Sequence, residues 1–353
     1  MYEKYKERKP FIMKKLILLA IMLCLCSCSS GQEVPEEDFV QAQIEDIAQP
    51  TKKVVTITAV GDCTLATDIN APQDESFVAE AKKQDDYTYF LKNVADIFKE
   101  DDLTIVNFEG TLSDGGSRVD KQFSFRGKPE YAEILSSSSV EAATLANNHS
   151  QDYGQESFND TVEILENAGI SVFSDGDVEV KEINGVKVGL VGLYALNEKR
   201  TAKFEADMKA VKDAGAELII VNAHWGEESA KVPNAKQKEL AREAIDLGAD
   251  LVVGHHPHVL QGIEKYNGKY IVYSLGNFCF GGNRNPSDKD TMIFRQTFTL
   301  ENGEAEEDDN ILIIPCSISS VSGRNNYQPT PLEGDEADRV MEKITERTKA
   351  IAE

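Results

Sequence analysis

The sequence is poor in basic residues, cysteine and tryptophan, and each shortage excludes a class of protein. Lysine and arginine number 37 against 61 aspartate and glutamate residues, so the formal net charge is −24. A surface of that sign repels nucleic acid and anionic lipid headgroups, which excludes an electrostatic nucleic-acid binder. Of the six cysteines, three lie in the first 28 residues. The other three, Cys63, Cys279 and Cys316, cannot all pair, which argues against a disulfide framework.

Long hydrophobic runs are also missing, and the main apolar segment lies near the N-terminus. It follows Met13 and two lysines, is too short for a comfortable permanent membrane span, and has the organisation of an export signal. The stretch LCSC, ending at Cys28, resembles the bacterial lipobox. Cys28 is therefore the expected lipidated N-terminus of the mature chain, and Met13 is an alternative start. We expect an extracytoplasmic lipoprotein that its lipid holds at the membrane.

Four segments are predicted along the chain. Residues 1–28 form the lipoprotein signal, and residues 29–52 form an acidic tether without hydrophobic pattern. Residues 53–300 alternate β-branched apolar runs with helical patterns, which is typical of an α/β sheet covered on both faces. Residues 301–353 add strand-rich sequence and a charged helix that complete or flank this domain. Helices are expected near 87–99, 130–145, 155–168, 201–214, 235–247 and 335–352.

Polar side chains follow six of the predicted strands, at the point where each strand ends. All five histidines of the sequence belong to this set. In open α/β sheets, ligands bind in the crevice at the carboxyl ends of the strands, so these residues are expected to converge. The set comprises Asp62, Asn107, Glu109, Asn147, Asn148, His149, His224, His255, His256, His258 and Asn277.

Imidazole, carboxylate and amide side chains in one place suit zinc, manganese or iron ions. A carboxylate that bridges two ions would allow a binuclear site, which can activate water and neutralise the charge of a phosphoryl transition state. Arg126 and Lys128 follow another predicted strand. In so acidic a protein, a cation near the site could bind an anionic substrate group. For Arg126, an ordinary surface ion pair is the equally weighted alternative.

Seven sequence blocks follow one another between residue 54 and about residue 282. They are AVGDCTL, VNFEGTL, FSFRGKPE, LANNHSQDYG, NAHWGEE, GADLVVGHHPHVLQG and IVYSLGNFCFGG. Together, and in this order, they resemble those of the CapA family of capsule and poly-γ-glutamate synthesis proteins, whose domain belongs to the calcineurin-like metallophosphatase superfamily. The resemblance implies a four-layer α/β/β/α sandwich with a centre of two divalent metal ions at the edge of the sheet.

The resemblance also implies roles for individual residues. His149 corresponds to the acid that protonates the leaving group, and Asp62 belongs to the catalytic set as well as to the metal ligands. Two positions depart from the superfamily pattern. Cys63 and Thr64 follow Asp62 where an Asp-x-His motif is usual, and Asn107 with Glu109 stands in the region of an aspartate. The implied metal ligands are Asp62, Glu109, Asn148, His224, His256 and His258.

Ordinary structural roles compete with these assignments. The histidines could be buried residues that hydrogen-bond the backbone. Three roles of His255 remain equally open: a metal ligand, a residue that supports a ligand, and a structural residue. Its side chain should point away from that of its neighbour. A buried thiol is the preferred interpretation of Cys63, and packing beside the site is that of Trp225. The candidate substrate-binding residues are Arg126, Asn107 and Asn277.

Three functions remain open. The first is a metal-dependent hydrolase that cleaves a phosphoester or a γ-glutamyl amide. The second is a non-catalytic scaffold that binds an anionic polymer and integral membrane subunits of a synthase. The third is a protein that binds another anionic envelope glycan. Poly-γ-glutamate contains no phosphate, so a phosphoesterase site has no evident substrate in that polymer.

Overall fold

The structure, a computed structural model, describes residues 52–196, 202–306 and 309–352. The predicted signal, with Cys28, and most of the predicted tether lie outside the described residues. Within these ranges, no helix has both the length and the apolar character that a membrane span requires.

Seventeen strands occur in the described part of the chain. They are β1 (Lys52–Thr64), β2 (Leu103–Phe108), β3 (Thr111–Leu112), β4 (Arg126–Gly127), β5 (Ala142–Thr144), β6 (Ser171–Phe173), β7 (Glu179–Ile183), β8 (Val186–Tyr194), β9 (Leu218–His224), β10 (Leu251–His255), β11 (Ile263–Tyr266), β12 (Lys269–Val272), β13 (Asn277–Phe280), β14 (Asp290–Glu301), β15 (Glu304–Ala305), β16 (Ile311–Ser317) and β17 (Thr330–Pro331).

The helices of the same ranges are shorter on average than the sequence predicts. They are α1 (Phe77–Ala81), α2 (Ala95–Phe98), α3 (Ala132–Ser136), α4 (Gly154–Asn167), α5 (Ala202–Asp213), α6 (Ala235–Asp246) and α7 (Gly334–Lys349). Single 3₁₀ turns occur at Tyr87–Tyr89 and Pro129–Tyr131.

Two large sheets carry most of these strands. The nine-stranded sheet has the order β17-β16-β14-β1-β2-β5-β6, with β13 paired to β1 and β15 paired to β14. The six-stranded sheet has the order β11-β12-β10-β9-β8-β7. Strands β14 and β16 lie inside the first sheet, so the sequence after residue 290 forms part of the same sheet as β1.

Successive side chains along a strand point to opposite faces of the sheet, so consecutive apolar residues pack in different layers. Leu251 and Val253 of β10 pack between the two sheets, where they meet Val55 and Ile57 of β1. Val252, between them in sequence, packs on the other face with residues of α5 and α6, namely Phe204, Met208, Leu240 and Ala241.

The outer face of the nine-stranded sheet has its own apolar layer. Val106 of β2 and Ala143 of β5 pack there with residues of α1, α3 and α4. Full burial of one such aliphatic side chain contributes about 2 kcal/mol to folding. Helices therefore cover both outer faces and a third apolar layer joins the sheets, which confirms the predicted four-layer α/β/β/α sandwich.

Strand β1 lies at the centre of the nine-stranded sheet and ends at the site. Its first eight residues pair antiparallel with β14, from Lys52 opposite Glu301 to Ala59 opposite Phe294. Near its end, Asp62 pairs in parallel with Asn107 of β2 and Asn277 of β13. Both ladders shift register beside Asp62. Such bulges bend a strand and redirect side chains, and this one brings three polar side chains to one point.

Three predicted helices differ from the structure. The expected helix at 87–99 is a 3₁₀ turn followed by the four residues of α2. The expected helix at 130–145 ends at Ser136 and gives way to β5. Serines compete with the helix for backbone hydrogen bonds, and Ser137 Oγ donates to the Glu133 carbonyl at 2.6 Å. The C-terminal helix, expected to be charged, buries Val340 and Ile344 against the layer between the sheets.

Candidate metal centre

The structure brings most of the sequence-predicted site residues together where β1, β2, β9 and β10 end. Asp62 lies near the end of β1, Glu109 directly after β2, His224 at the end of β9 and His255 at the end of β10. All four are almost completely buried. The ends of these strands therefore place their polar side chains at one end of the two sheets, as the sequence predicts.

Asp62 is surrounded by hydrogen-bonding side chains. Asn107 Nδ2 donates to its Oδ1 at 2.8 Å, and His258 Nδ1 lies 3.0 Å from its Oδ2. Burial alone would raise the pKa of this carboxyl. The hydrogen bonds to His255 and His258 and their charge instead hold the pKa of Asp62 well below its usual range. Asp62 is therefore a buried anion.

Glu109 is a fully buried carboxylate, and neither of its oxygens has a hydrogen-bond partner. Its nearest polar neighbours are His224 Nε2 at 3.7 Å and His258 Nε2 at 3.9 Å, both from Oε1. Burial raises the pKa of Glu109 to about 8, against the attraction of His258. A buried carboxylate without hydrogen bonds costs several kcal/mol unless a cation compensates it.

His256 and His258 complete a cluster with Glu109, because ligand atoms of the three residues lie within 4.8 Å of one another. The backbone around Pro257 makes this possible. His256 has a φ of 94° and His258 a φ of 57°, which are rare values for residues other than glycine. Strained backbone of this kind is concentrated at functional sites.

The two imidazoles of this cluster differ in charge. Burial lowers the pKa of His256 to about 4, so its ring is neutral and able to ligate a metal. Burial also disfavours the charged form of His258, but the Glu109 and Asp62 carboxylates outweigh it and raise the pKa of His258 to about 10. Metal binding at His258 must therefore displace a proton.

His224 contacts Asn148, Asn107 and His256. Its Nε2 lies 2.7 Å from Asn148 Oδ1, and its Nδ1 lies 3.4 Å from Asn107 Nδ2. The rings of His224 and His256 are 4.9 Å apart between centroids. Burial holds the pKa of His224 well below its usual range, so the ring is neutral. Asn148 and His224 thus join His256, which follows β10, to the segment that follows β5.

His255 contacts Asp62 and lies outside the cluster formed by Glu109, His256 and His258. Its Nδ1 is 3.5 Å from Asp62 Oδ1, and its Nε2 is 3.3 Å from Asn222 Oδ1. Of the three roles considered for this residue, its contacts match support of a ligand.

His149 is held by two residues that the sequence does not single out, Asp152 and Lys121. The His149 Nδ1 lies 2.7 Å from Asp152 Oδ2 and 3.2 Å from Lys121 Nζ. Asp152 is fully buried, forms an ion pair with Lys121 and also accepts the Phe125 amide. The pKa of His149 is lowered, chiefly by burial and against the attraction of Asp152. The spacing of three residues in HSQD is the only sequence signal for Asp152.

The candidate substrate-binding residues separate into two groups. Asn107 and Asn277 lie at the centre, where Asn277 Oδ1 is 2.9 Å from His258 Nδ1. Arg126 instead donates to the Gly115 carbonyl at 3.1 Å and lies over the ring of Tyr153. None of the contacts described for Arg126 is with a site histidine. Lys128 pairs with Glu130 at 3.0 Å.

Two residues beside the site have packing contacts. Trp225 is buried, and its Nε1 donates to the Tyr273 carbonyl at 3.0 Å. Cys63 is a buried free thiol. Burial raises the pKa of Cys63 to about 12, so it stays protonated at neutral pH.

A cavity of about 250 Å³ opens over one side of the centre. His149, His258 and Asn277 reach its wall, together with Glu228 and the apolar Phe125 and Phe280. The ring of Phe125 lies against His149, with centroids 4.6 Å apart. A small substrate in this cavity can therefore contact the candidate proton donor and the metal-ligating cluster at once.

The donor set fits divalent metal ions. Glu109 presents two oxygens without partners, His256 Nδ1 also lacks a hydrogen bond, and all three atoms are buried. Imidazole nitrogen and carboxylate oxygen together are typical ligands of zinc, manganese and iron. A cation among these atoms would compensate the buried negative charge of Asp62 and Glu109.

Comparisons with known proteins agree with the sequence blocks. The family described as "Bacterial capsule synthesis protein PGA_cap" matches residues 56–282. The chain is 26% identical to the capsule biosynthesis protein CapA of Bacillus anthracis, over 98% of this chain and 84% of that protein. It is 30% identical to the PGA biosynthesis protein CapA of Bacillus subtilis (strain 168), over 68% of this chain and 67% of that protein.

Solved structures show a more distant likeness. A hypothetical protein from Thermus thermophilus has a TM-score of 0.46 and 15% identity, and the match covers 74% of this chain and 99% of that chain. The Vps29 protein of Chaetomium thermophilum has a TM-score of 0.23 and 13% identity, with 58% of this chain and 93% of that chain covered.

Proposed function

Because this chain belongs to the PGA_cap family of bacterial capsule synthesis proteins, we propose that it is a metal-dependent hydrolase acting in the synthesis of an anionic capsule polymer of the poly-γ-glutamate type. The observation that supports hydrolysis is Glu109, a buried carboxylate whose two oxygens have no hydrogen-bond partner and whose Oε1 lies within 4 Å of two imidazoles of the centre. Such a carboxylate is expected where a cation binds.

The residues that would hold the metal are those of the buried cluster. Both free oxygens of Glu109 would be available to divalent ions. When bound, divalent ions polarise a substrate oxygen and neutralise the negative charge that develops during hydrolysis. The metal identity remains zinc, manganese or iron. The proposed ligands are Asp62, Glu109, Asn148, His224, His256 and His258.

The residues of the chain supply positioning and proton transfer. Asp152 and Lys121 contact the Nδ1 edge of His149, and His149 lines the cavity. His149 is thus oriented to give a proton to the leaving group, which is the role of a general acid. The ring of Phe125 shields one side of His149 from water. Asn107 orients Asp62, and Asn277 contacts His258 and lines the cavity, where it can contact the substrate.

Two kinds of bond are compatible with this chemistry, a phosphoester and a γ-glutamyl amide. The relatives are named for capsule and poly-γ-glutamate biosynthesis, and that polymer contains amides and carboxylates but no phosphate. Arg126 remains a candidate for binding an anionic group through its partly exposed side chain.

A non-catalytic scaffold is the second candidate, and the residue after Asp62 favours it. Cys63 is followed by Thr64 where the superfamily pattern has a histidine, and the Cys63 thiol has a pKa of about 12. The centre therefore has one nitrogen donor fewer than an Asp-x-His motif provides. In that case the pocket would bind carboxylates of the polymer and membrane subunits of a synthase without cleaving a bond.

We further propose that the protein works outside the cytoplasm, anchored by a lipid on Cys28. The lipobox-like sequence supports this location. Because the protein itself is strongly acidic, several acyl chains rather than surface charge would hold it at the membrane.

Metal analysis of the full chain in mild detergent tests the hydrolase. We expect at least one transition-metal ion per chain after reloading, and release of product from a model phosphodiester or a γ-glutamyl amide. Asp62→Ala and His256→Ala should abolish both metal retention and turnover. Less than one bound ion per chain would contradict the proposed hydrolase function. Unchanged turnover in both variants would contradict the assignment of the site residues. Bound polymer without turnover supports the scaffold instead.

A further inference from the structure

A second cavity, of about 330 Å³, lies on the other side of Asn148. The cavity over His149 described above has a different lining, so the segment that carries Asn148 and His149 contributes to two cavities. The residues that line the second cavity include Asn147, Asn148, Ser150, Gln151, Tyr194 and Lys203.

The second cavity begins at a proposed metal ligand. Asn148 lines it and places its Oδ1 2.7 Å from His224 Nε2. Tyr194 of β8 pairs in register with His224 of β9. Their rings are stacked, with centroids 6.3 Å apart and an angle of 28° between planes. A molecule in this cavity would therefore contact Asn148 and Tyr194, two residues that contact His224 directly.

The lining offers hydrogen bonds and one positive charge. The side chains of Ser150 and Gln151 line the cavity together with the half-buried phenol of Tyr194. Lys203 Nζ donates to the Asp175 carbonyl at 3.3 Å and forms a long ion pair with the Asp175 carboxylate at 3.9 Å, and 63% of its side chain is exposed. Its ammonium group can donate to another carboxylate, because Lys has three donors and a flexible stem.

The two cavities differ in the charge of their walls. The cavity over His149 contains Glu228 and Asp288, while the second contains Lys203 with Asp175. A chain of amide units with carboxylate side groups could form amide hydrogen bonds in the second cavity and pair one carboxylate with Lys203. Its next unit would then reach the metal centre and the first cavity.

We propose that the second cavity is a substrate subsite, which binds one unit of a carboxylate-bearing amide chain while the neighbouring unit occupies the metal centre. The polymer would then have units bound on both sides of the metal centre. The protein would bind internal units of the polymer and not only its end. The inference rests on the proposed function for the identity of the polymer, but it concerns binding and does not require cleavage.

The test measures the affinity of the full, manganese-loaded chain for γ-glutamyl oligomers of increasing length. Two variants alter the subsite: Tyr194→Phe keeps the ring that stacks on His224 and removes its hydroxyl, and Lys203→Gln removes the cation. Lys209→Gln is the matched control, because it removes the same charge from the same helix at a residue that is 73% exposed and paired with Asp213. Metal content is measured for every protein.

We expect wild-type affinity to rise with oligomer length. In Lys203→Gln the long oligomers should bind about tenfold more weakly, as for one lost charge-assisted hydrogen bond. Tyr194→Phe should weaken the binding of long oligomers by a smaller factor, and Lys209→Gln should bind them as the wild type does. The affinity for the shortest oligomer and the metal content should be the same in all proteins. The proposal is wrong if the wild type binds short and long oligomers with equal affinity. It is also wrong if affinity rises with oligomer length in both variants as it does in the wild type.

Turnover of a small phosphodiester separates this proposal from the hydrolase. If length-dependent binding is lost in the variants while no protein shows turnover, the subsite stands and the hydrolase fails. If the wild type and both variants turn over the small ester equally and the length dependence is also unaltered, the hydrolase stands and the subsite fails.

Discussion

Glu109 shows how one buried side chain can indicate a ligand. Its carboxylate is removed from water, lacks hydrogen bonds and lies within 4 Å of two imidazoles. Stability alone does not account for such an arrangement, since an apolar residue of similar size would avoid the desolvation cost. The arrangement is consistent with selection for binding a cation.

Replacing Glu109 by glutamine should weaken metal binding about 10- to 100-fold, because one charge-assisted contact is lost while the volume of the side chain is kept. Titration of the metal-free protein with manganese or zinc measures this loss. Glu239→Gln is the control, since Glu239 is exposed and paired only on the surface of α6. Equal affinity of Glu109→Gln and the wild type would show that Glu109 does not ligate the metal.

Asp152→Asn should lower turnover about 100-fold, within the range for a disturbed general acid, and leave the number of bound ions unchanged. The amide keeps the shape of the side chain but no longer carries the charge that orients His149 and pairs with Lys121. Steady-state rates together with metal analysis check this prediction. The exposed Asp213→Asn should have no effect, and a loss of metal in Asp152→Asn would assign Asp152 to the metal site itself.

The site could be predicted from sequence as a set of strand ends, but not as a set of contacts. The histidines are few, and all follow apolar runs, so their convergence was predictable. Lys121 reaches Asp152 and His149 from a loop without regular structure between β3 and β4, and no periodicity relates them. The division of roles between His255 and its neighbours depends on the unusual φ angles around Pro257, which a residue pattern does not encode.

The elements that support the site depend on close approach of backbones. At the end of β10, a Cβ atom on Gly254 would lie 2.0 Å from the Tyr273 carbonyl oxygen and 2.6 Å from Trp225 Nε1. At the end of β1, a Cβ atom on Gly61 would lie 1.9 Å from the Gly276 carbonyl oxygen. These glycines allow the strands that carry His255 and Asp62 to approach the β12–β13 segment.

Gly254→Ala should lower the free energy of unfolding by about 3 kcal/mol, because β10 or the Tyr273 backbone must move to admit the methyl group. Chemical denaturation followed by circular dichroism measures the change. Gly323→Ala provides the comparison, as its Cβ would meet no atom within 4 Å. If the two variants are equally stable, the backbones at Gly254 are not tightly packed.

Long helices were predictable, and short elements were not. Helices α4, α5, α6 and α7 lie close to their predicted bounds. Helix α7 has a strongly charged sequence, but Arg347 is buried and donates to the Leu260 carbonyl, two residues after His258. The C-terminal helix thus supports the histidine loop through a contact 87 residues apart in sequence.

At the scale of the whole molecule, buried acidic groups make stability dependent on pH. Glu141 directly precedes β5, and its carboxylate accepts the Thr104 amide of β2 at 2.8 Å. Burial raises the pKa of Glu141 from 4.5 to about 7. Between these pH values the unfolded chain loses this proton and the folded protein keeps it. The contribution of Glu141 to stability therefore falls as pH rises from about 4.5 to about 7.

Glu141→Gln should accordingly stabilise the protein by about 1 kcal/mol at pH 8, where the wild-type carboxylate is ionised in a partly buried position, and have little effect at pH 4.5. The glutamine oxygen can still accept the Thr104 amide. Thermal unfolding at both pH values gives the comparison. Glu133→Gln, at an exposed glutamate of α3, should show no such difference, and a gain that is the same at both pH values would refute the explanation.

The position of β1 has a consequence for biosynthesis. Its residues pair with β14, from Lys52 opposite Glu301, so the strand has its full set of neighbours only after the chain has been made as far as Glu301. Contacts so distant in sequence form late, because the closure of long loops must precede them. A nascent chain that has emerged only as far as Asp62 and Glu109 holds both carboxylates without His256 and His258. The candidate ligand set is therefore complete only late in synthesis, after His256 and His258 have been added and β1 has paired with β14.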